Sequence, residues 1–356
     1  MSGTRQPRYR VSLNGATETG CYSLSTDSNN NFSADTFSAE FATNRSGAKS
    51  LAWWSNTDTV LVNIEMTEDV TAGGYVPVFA GEVDDIDADP IKGTVSVTGR
   101  DLSRRLRDAR TQETFLNQTS SQVAATLAAR RGLTAVGPAT KTLVSRFYSE
   151  DHDHITGDSF TKTTNEWDLL VYLAQHEGFD VFVQGTELHF QPSVDLTDNP
   201  FKARVFPDGS GDTNVIDPRL HRALTLAKDI EVDVRSWSPG SKSGFTVKAA
   251  GKMSGKDKGG AQRTVIMRPN LTHDQAQKLA NSTREDLSKR ERLFDFEVPG
   301  NTALTPRTPV LLSDTGTSWD GPYYISSIER RIDVQQGFHM AVKCKNHSPA
   351  NETIPA

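Results

Sequence analysis

Cysteine is nearly missing: the 356 residues hold two, Cys21 and Cys344, at opposite ends of the chain. Neither a disulfide framework nor a CxxC metal pair can be read from them. Apolar runs of about 18 residues, the length that spans a bilayer, do not occur, so no membrane insertion is expected. The opening "MSGTRQPRYRVSLNG" is basic but lacks an apolar segment, and no signal peptide is expected from it. Excess basic charge is lacking too. The formal net charge is −6, where a chain built to grip nucleic acid would be basic. The frames GxSxG, HExxH, DxDxDG and GxxxxGK[ST] are all absent, so no motif argues for catalysis or a phosphate loop.

What the chain does have is turns and short β-rich runs. It contains 26 Gly and 16 Pro, with 35% apolar and 24% charged residues. That composition and length suit a polar globular chain of two or three domains. In "TVSVTG", Val95 and Val97 alternate with Thr94, Ser96 and Thr98, the period of a strand with one buried face. With "YRVSLNG", "TDTVLVNIEM" and "YVPVFAGEVDDID" it makes the first hundred residues a small barrel or sandwich. The acidic cluster Asp84, Asp85 and Asp87 is expected in a solvated hairpin turn.

The period changes at Gly99. "RDLSRRLRDAR" sets Leu102, Leu106 and Ala109 on one helical face and Arg100, Arg104 and Arg107 on another. Thr119 with Gln122 has capping-box spacing before an apolar stripe of Val123, Ala124 and Leu127. Thr163 with Glu166 repeats the design before Trp167, Leu170, Val171 and Ala174. Gly132 and Gly178 can take the left-handed conformation that ends each helix. "FDVFV" and "LHFQP" then read as a hairpin. Thr272 with Gln275 opens a third helix, to about residue 290, amid further strands.

The resulting fold class is α+β, mainly β: two related β-barrel domains with an intervening helix-containing α+β domain. The divisions are 1–99, 100–214 and 215–349, the last including the helix 272–290. The relatedness rests on a weak internal echo. Val83 and Ile86 in the first block and Ile325 and Ile328 in the second are each followed by a polar turn, a glycine (Gly93; Gly337) and an alternating strand.

Candidate chemistry is sparse. In "EDHDH", His152 and His154 would share a strand face, a workable ligand spacing, but a third ligand is missing and zinc spacings are not met. A solvated polar turn is the preferred reading, with no metal and no cofactor. Five arginines near Gly99 suggest a basic stripe, but Asp101 and Asp108 interleave them. That pattern favours a solvated or interface helix over phosphate contact. Glycine-rich "GKMSGKDKGG" fits no phosphate-binding frame.

The order of "TGRDLSRRLRD", the Phe115–Leu133 segment, "EWDLLVYLAQHEGFDVFVQGTELHF" and "VPGNTALTPRTPVLL" resembles the baseplate hub proteins of contractile-tailed phages, the Mu-like tail hub or late-control protein D family. It is also similar in plan to the N-terminal part of type VI secretion spike proteins. The resemblance spans about Arg8 to Lys345, with Gly99, Arg100, Asp108, Trp167, Gly178, Pro299 and Gly300 as framework positions and no catalytic residues.

The resemblance implies a non-enzymatic virion component of the tail baseplate, assembled in the host cytoplasm. It implies a homotrimer whose six β-barrels form a pseudo-sixfold ring between a hexameric tail tube, or tube-initiator protein, and a trimeric central spike. Other baseplate proteins would flank it, and DNA would pass the lumen without specific binding. Strand edges would be closed within barrels. Trp53, Trp54, Trp237 and Trp319 are candidate interface aromatics. Two other readings are a tail-associated cell-wall or glycan hydrolase, for which "EDHDH" is the candidate site, and a carbohydrate-binding β protein, suggested by "SWDGPYY".

Overall fold

A computed structural model describes residues 6–30, 32–71, 74–110, 115, 117–141, 143–144, 165–192, 199–207, 209–223, 230–237, 244–250, 262–268, 271–288, 292–333 and 337–346. The "EDHDH" stretch, with His152 and His154, and the "GKMSGKDKGG" loop lie outside the described residues.

The first block contributes β1 (Arg8–Leu13), β2 (Ala16–Glu18), β3 (Cys21–Asn29), β4 (Thr36–Ala42), β5 (Leu61–Thr67), β6 (Val76–Asp89) and β7 (Thr94–Asp101). A short helix, α1 (Leu51–Ser55), is capped by the Ser50 side chain. In β7, Val95, Val97, Gly99 and Asp101 point inward and the residues between them do not, as the alternation requires. The structure corrects one expectation here. Asp84, Asp85 and Asp87 lie within β6, and the hairpin turns only after Asp89.

The middle of the chain holds α2 (Arg104–Arg107), α3 (Ser120–Arg130), β8 (Thr134–Val136), α4 (Glu166–Glu177), β9 (Phe179–Gln184) and β10 (Glu187–Pro192). Strands β8, β10 and β9 form a three-stranded sheet. It packs with the helices around Leu106, Val123, Leu127, Trp167, Leu170 and Leu173. The capping box at Thr119 is made in full. Thr163, the first residue of the expected box, lies outside the described residues, and the helix starts elsewhere. Asn165 is the N-cap, its side chain accepting from the Asp168 N–H, because a short amide one residue before Glu166 satisfies the first turn directly. Gly178 ends α4 at φ 71°, where a side chain would be strained.

The last block runs β11 (Phe201–Arg204), β12 (Ile216–Arg222), β13 (Ile230–Trp237), β14 (Gly244–Ala250), β15 (Gln262–Met267), α5 (His273–Ser288), β16 (Arg292–Pro299), β17 (Pro309–Ser313), β18 (Gly321–Asp333) and β19 (Gly337–Asn346). Its first and last strands join the first block in one 13-stranded sheet, ordered β12-β16-β19-β18-β3-β4-β7-β6-β5-β1-β2, with β11 and β17 attached beside β18. Between β12 and β16 in chain order, β13–β15 form their own sheet. It packs on α5 through Val232, Val234, Val247, Ala276 and Ala280. The Thr272–Gln275 box caps α5 with reciprocal bonds of 2.9 and 3.3 Å.

The two blocks repeat strand for strand. β3-β4-β7-β6-β5 and β12-β16-β19-β18-β17 run in the same neighbour order and the same chain order, antiparallel throughout. Their registers agree as well. Val97 faces Ile86 and Ala39, as Val342 faces Ile328 and Phe296. Val62 faces Gly81, as Val310 faces Tyr323. Each hairpin has a register shift at the same place, between Val83 and Asp85 in one and Ile325 and Ser327 in the other. A one-residue slip would turn every inward side chain to solvent, so agreement at three strand pairings and a bulge makes these two copies of one unit. One continuous core runs through both.

Candidate assembly interface

The residues singled out from sequence hold the joints between these layers. Arg100, on β7, grips Asp84 on β6 with two bonds, Nε to Oδ2 at 2.6 Å and Nη2 to Oδ1 at 3.0 Å. Asp108 caps α2 and meets Arg100 at 3.4 Å and Arg104 at 3.2 Å. Arg104 also reaches Asp84 at 3.0 Å, and Arg105 reaches Glu82 at 2.6 Å. These arginines are therefore neutralised by Glu82, Asp84 and Asp108 and fasten α2 to β6. That is not the exposed, unpaired stripe that phosphate contact needs. Its hydrogen bonds to Asp84 hold the Arg100 guanidinium above its ordinary pKa.

Gly99 is fixed by close approach. A Cβ there would run into the Glu82 carbonyl and the Phe37 ring. Trp167 is buried and donates its Nε1–H to the Phe32 carbonyl at 2.8 Å. Arg107 lies over the Trp167 ring, 4.6 Å from its centroid, and donates to the same carbonyl. This ties the middle unit to the loop after β3. Pro299 is the exposed last residue of β16, where a missing N–H costs nothing. Gly300 donates its N–H to the Phe338 carbonyl at 3.0 Å, under the Phe338 ring.

Of the four tryptophans expected as interface candidates, Trp54 is buried edge-on against Trp53, Trp319 packs on the main core, and Trp237 is 45% exposed. Three thus serve packing, the usual fate of so large an apolar surface. Both cysteines are free and buried. Among the described residues no group of three potential metal ligands occurs, and no helix is long and apolar enough to cross a membrane.

Two features escaped sequence reading. The first is a cavity of about 380 Å³ between the β units and the middle sheet, lined in part by Asp35, Asp101, Phe182, Arg307 and Arg330. Burial pushes Asp101 up to about 7, helped by the nearby Asp35 carboxylate, and burial pushes Asp35 up to about 6. Burial also lowers Arg330 to about 10. Asp101 accepts from the Ser103 N–H at 3.1 Å and the Ser103 hydroxyl at 2.5 Å. Arg330 donates to Ser28 Oγ and the Leu304 carbonyl. Only the fold brings Asp35, Asp101 and Arg330 together, so no local pattern announces them.

The second is a pair of open strand edges. Among the described residues the large sheet ends at β12, of which every residue but Pro218 is exposed. β6 is covered on one side by β7 along its second half, while β5 covers its other side only as far as Glu82. Among the described residues, β12 and the second half of β6 each keep an unpaired edge, where barrels closed within one chain were expected to leave none.

No protein-family profile and no curated protein matches the sequence. Solved structures do match in fold. A tail protein of Neisseria meningitidis is 18% identical, with 95% of this chain and 96% of that one covered at a TM-score of 0.69. The 43 kDa tail protein of prophage MuSo2 from Shewanella oneidensis is 15% identical, with 97% and 99% covered at 0.71. The Escherichia coli c3393 protein, a component of the type VI secretion system, is 9% identical, with 97% and 79% covered at 0.53. The fold is therefore that of phage tail proteins, mainly β with two related β units. It is shared over the length of the chain with a type VI secretion component.

Proposed function

We propose that the chain is the structural, non-enzymatic hub of a phage or phage-like tail baseplate. In this reading three copies form a ring of six near-equivalent β units joining a hexameric tail tube to a trimeric central spike. The observation that carries it is the duplicated unit with matched registers. Where a sixfold tube meets a threefold spike, an annulus with threefold sequence and sixfold shape satisfies both partners. The shared fold with two phage tail proteins supports the setting. So does the E. coli protein, described as structurally similar to the T4 tail proteins gp27 and gp5. The segments 1–99, 100–214 and 215–349 are proposed as its building blocks, and Gly99, Arg100, Asp108, Trp167, Gly178, Pro299 and Gly300 as the framework that holds them. The virion baseplate is its proposed location, with DNA passing the lumen unread.

The test is the mass in solution. Light scattering at micromolar concentration is expected to give three times the 39.0 kDa chain, and a monomer at every concentration would overturn the reading. Cell-wall or glycan hydrolysis by the purified protein would favour the enzyme alternative instead.

A further inference from the structure

The internal repeat specifies what covers the open edges of β6 and β12. Within the chain, the second half of β18 pairs antiparallel with β3, joining the two units: Ser327 faces Asn29, Ile328 faces Ser28, Glu329 faces Asp27 and Arg330 faces Thr26. By the matched registers, β18 corresponds to β6, with Ile328 at the place of Ile86, and β3 corresponds to β12, with Thr26 at the place of Leu220. Each counterpart keeps that edge unpaired among the described residues.

Burial tells the same story. Ile328 and Thr26, inside the seam, are both 0% exposed, whereas Ile86 is 39% and Leu220 37% exposed. Charge agrees as well. The open half of β6 carries Asp85 and Asp87, both exposed, and the open stretch of β12 carries His221 and Arg219 on the face that would meet them, Arg219 being already bonded to Asp217. Asp89 holds its own turn, accepting from the Ile91 and Lys92 N–H groups, and is left out of the pairing. Exposed apolar edges with complementary charge are templates for strand addition.

We propose that β6 of one copy pairs antiparallel with β12 of the next copy in the register of the internal seam. Asp85 then faces Ala223, Ile86 faces Arg222, Asp87 faces His221 and Ala88 faces Leu220. Ile86 and Leu220 enter the buried face, and Asp85 and Asp87 lie on the outer face beside His221 and Arg219. The proposal rests on the ring reading and supplies its intermolecular joint. Because the contact is head to tail, with different surfaces on the two sides, it propagates around a ring until the ring closes.

The experiment is thiol cross-linking of the full chain with a short bifunctional maleimide. Cys21 and Cys344 are buried and serve as an internal blank. The Asp87→Cys/His221→Cys variant is expected to give covalent dimers and closed trimers on a denaturing gel, while each single variant stays monomeric there. Asp87→Cys/Arg222→Cys, whose side chains would fall on opposite faces, is expected to cross-link at least tenfold less. A second arm replaces Asp85 and Asp87 with Lys. That change is expected to weaken association at least tenfold, and Arg219→Asp with His221→Asp in the same chain should restore it. A trimer by mass in which Asp87→Cys/His221→Cys fails to cross-link, or cross-links no better than Asp87→Cys/Arg222→Cys, overturns this pairing and leaves the ring standing. A monomer by mass overturns the ring and the pairing together.

Discussion

Replacing Asp101 by Asn should change how stability depends on pH. The folded carboxyl titrates at about 7 against an ordinary 3.8, raised first by burial and then by Asp35. Below the ordinary value both folded and unfolded states hold the proton, and the neutral acid's contribution is fully present. As pH rises, the unfolded chain ionises first, so stability falls through the window from 3.8 to about 7 at about 1.4 kcal/mol per pH unit for one proton. Over the whole window the loss is about 4 kcal/mol as an upper bound. The amide keeps the carbonyl that accepts from Ser103 and does not ionise. The parent's stability should therefore drop relative to the Asp101→Asn variant across this window, and the variant should be the more stable above it. Urea unfolding across the window, at one protein concentration so that association does not shift the midpoint, reads the difference. Parallel profiles for parent and variant would refute the assignment of a buried, protonated Asp101.

Two further substitutions test the middle unit. Thr119→Ala removes the oxygen that accepts from Gln122 N–H at the start of α3 and should cost about 1 kcal/mol in urea unfolding. Arg131→Met strands Glu166, which is 2% exposed and held by two bonds of 2.7 Å. It should cost about 3 kcal/mol in urea unfolding at neutral pH; an unchanged midpoint would show the pair to be unimportant.

Sequence reading succeeded where a local pattern dictates structure. The Thr119 and Thr272 boxes need only a hydroxyl and an amide three residues apart, and both form. The stop at Gly178 follows from one residue's conformational freedom. It failed where neighbours compete. At α4 the cap is Asn165, two residues past the Thr163 that the spacing singled out. Asp84, Asp85 and Asp87 look like a turn, yet β7 pairs with Asp85 and Asp87, and Arg100 with Arg104 offsets Asp84 in the bulge between Val83 and Asp85. The internal echo was visible only at Val83, Ile86, Ile325 and Ile328. Its extent appeared with the strand registers, because an inserted unit of three strands and α5 separates β12 from β16 in the chain. The pairing of half-buried Asp35 with buried Asp101 and the open edges of β6 and β12 are products of long-range pairing, and nothing adjacent in sequence marks them.

Averaged single-particle images of the purified protein, viewed down the symmetry axis, test the central claim most directly. The account predicts an annulus of three chains with a central hole and six similar lobes, superposable by turns of about 60°. A particle without a hole, or one whose lobes repeat only every third of a turn, would contradict it.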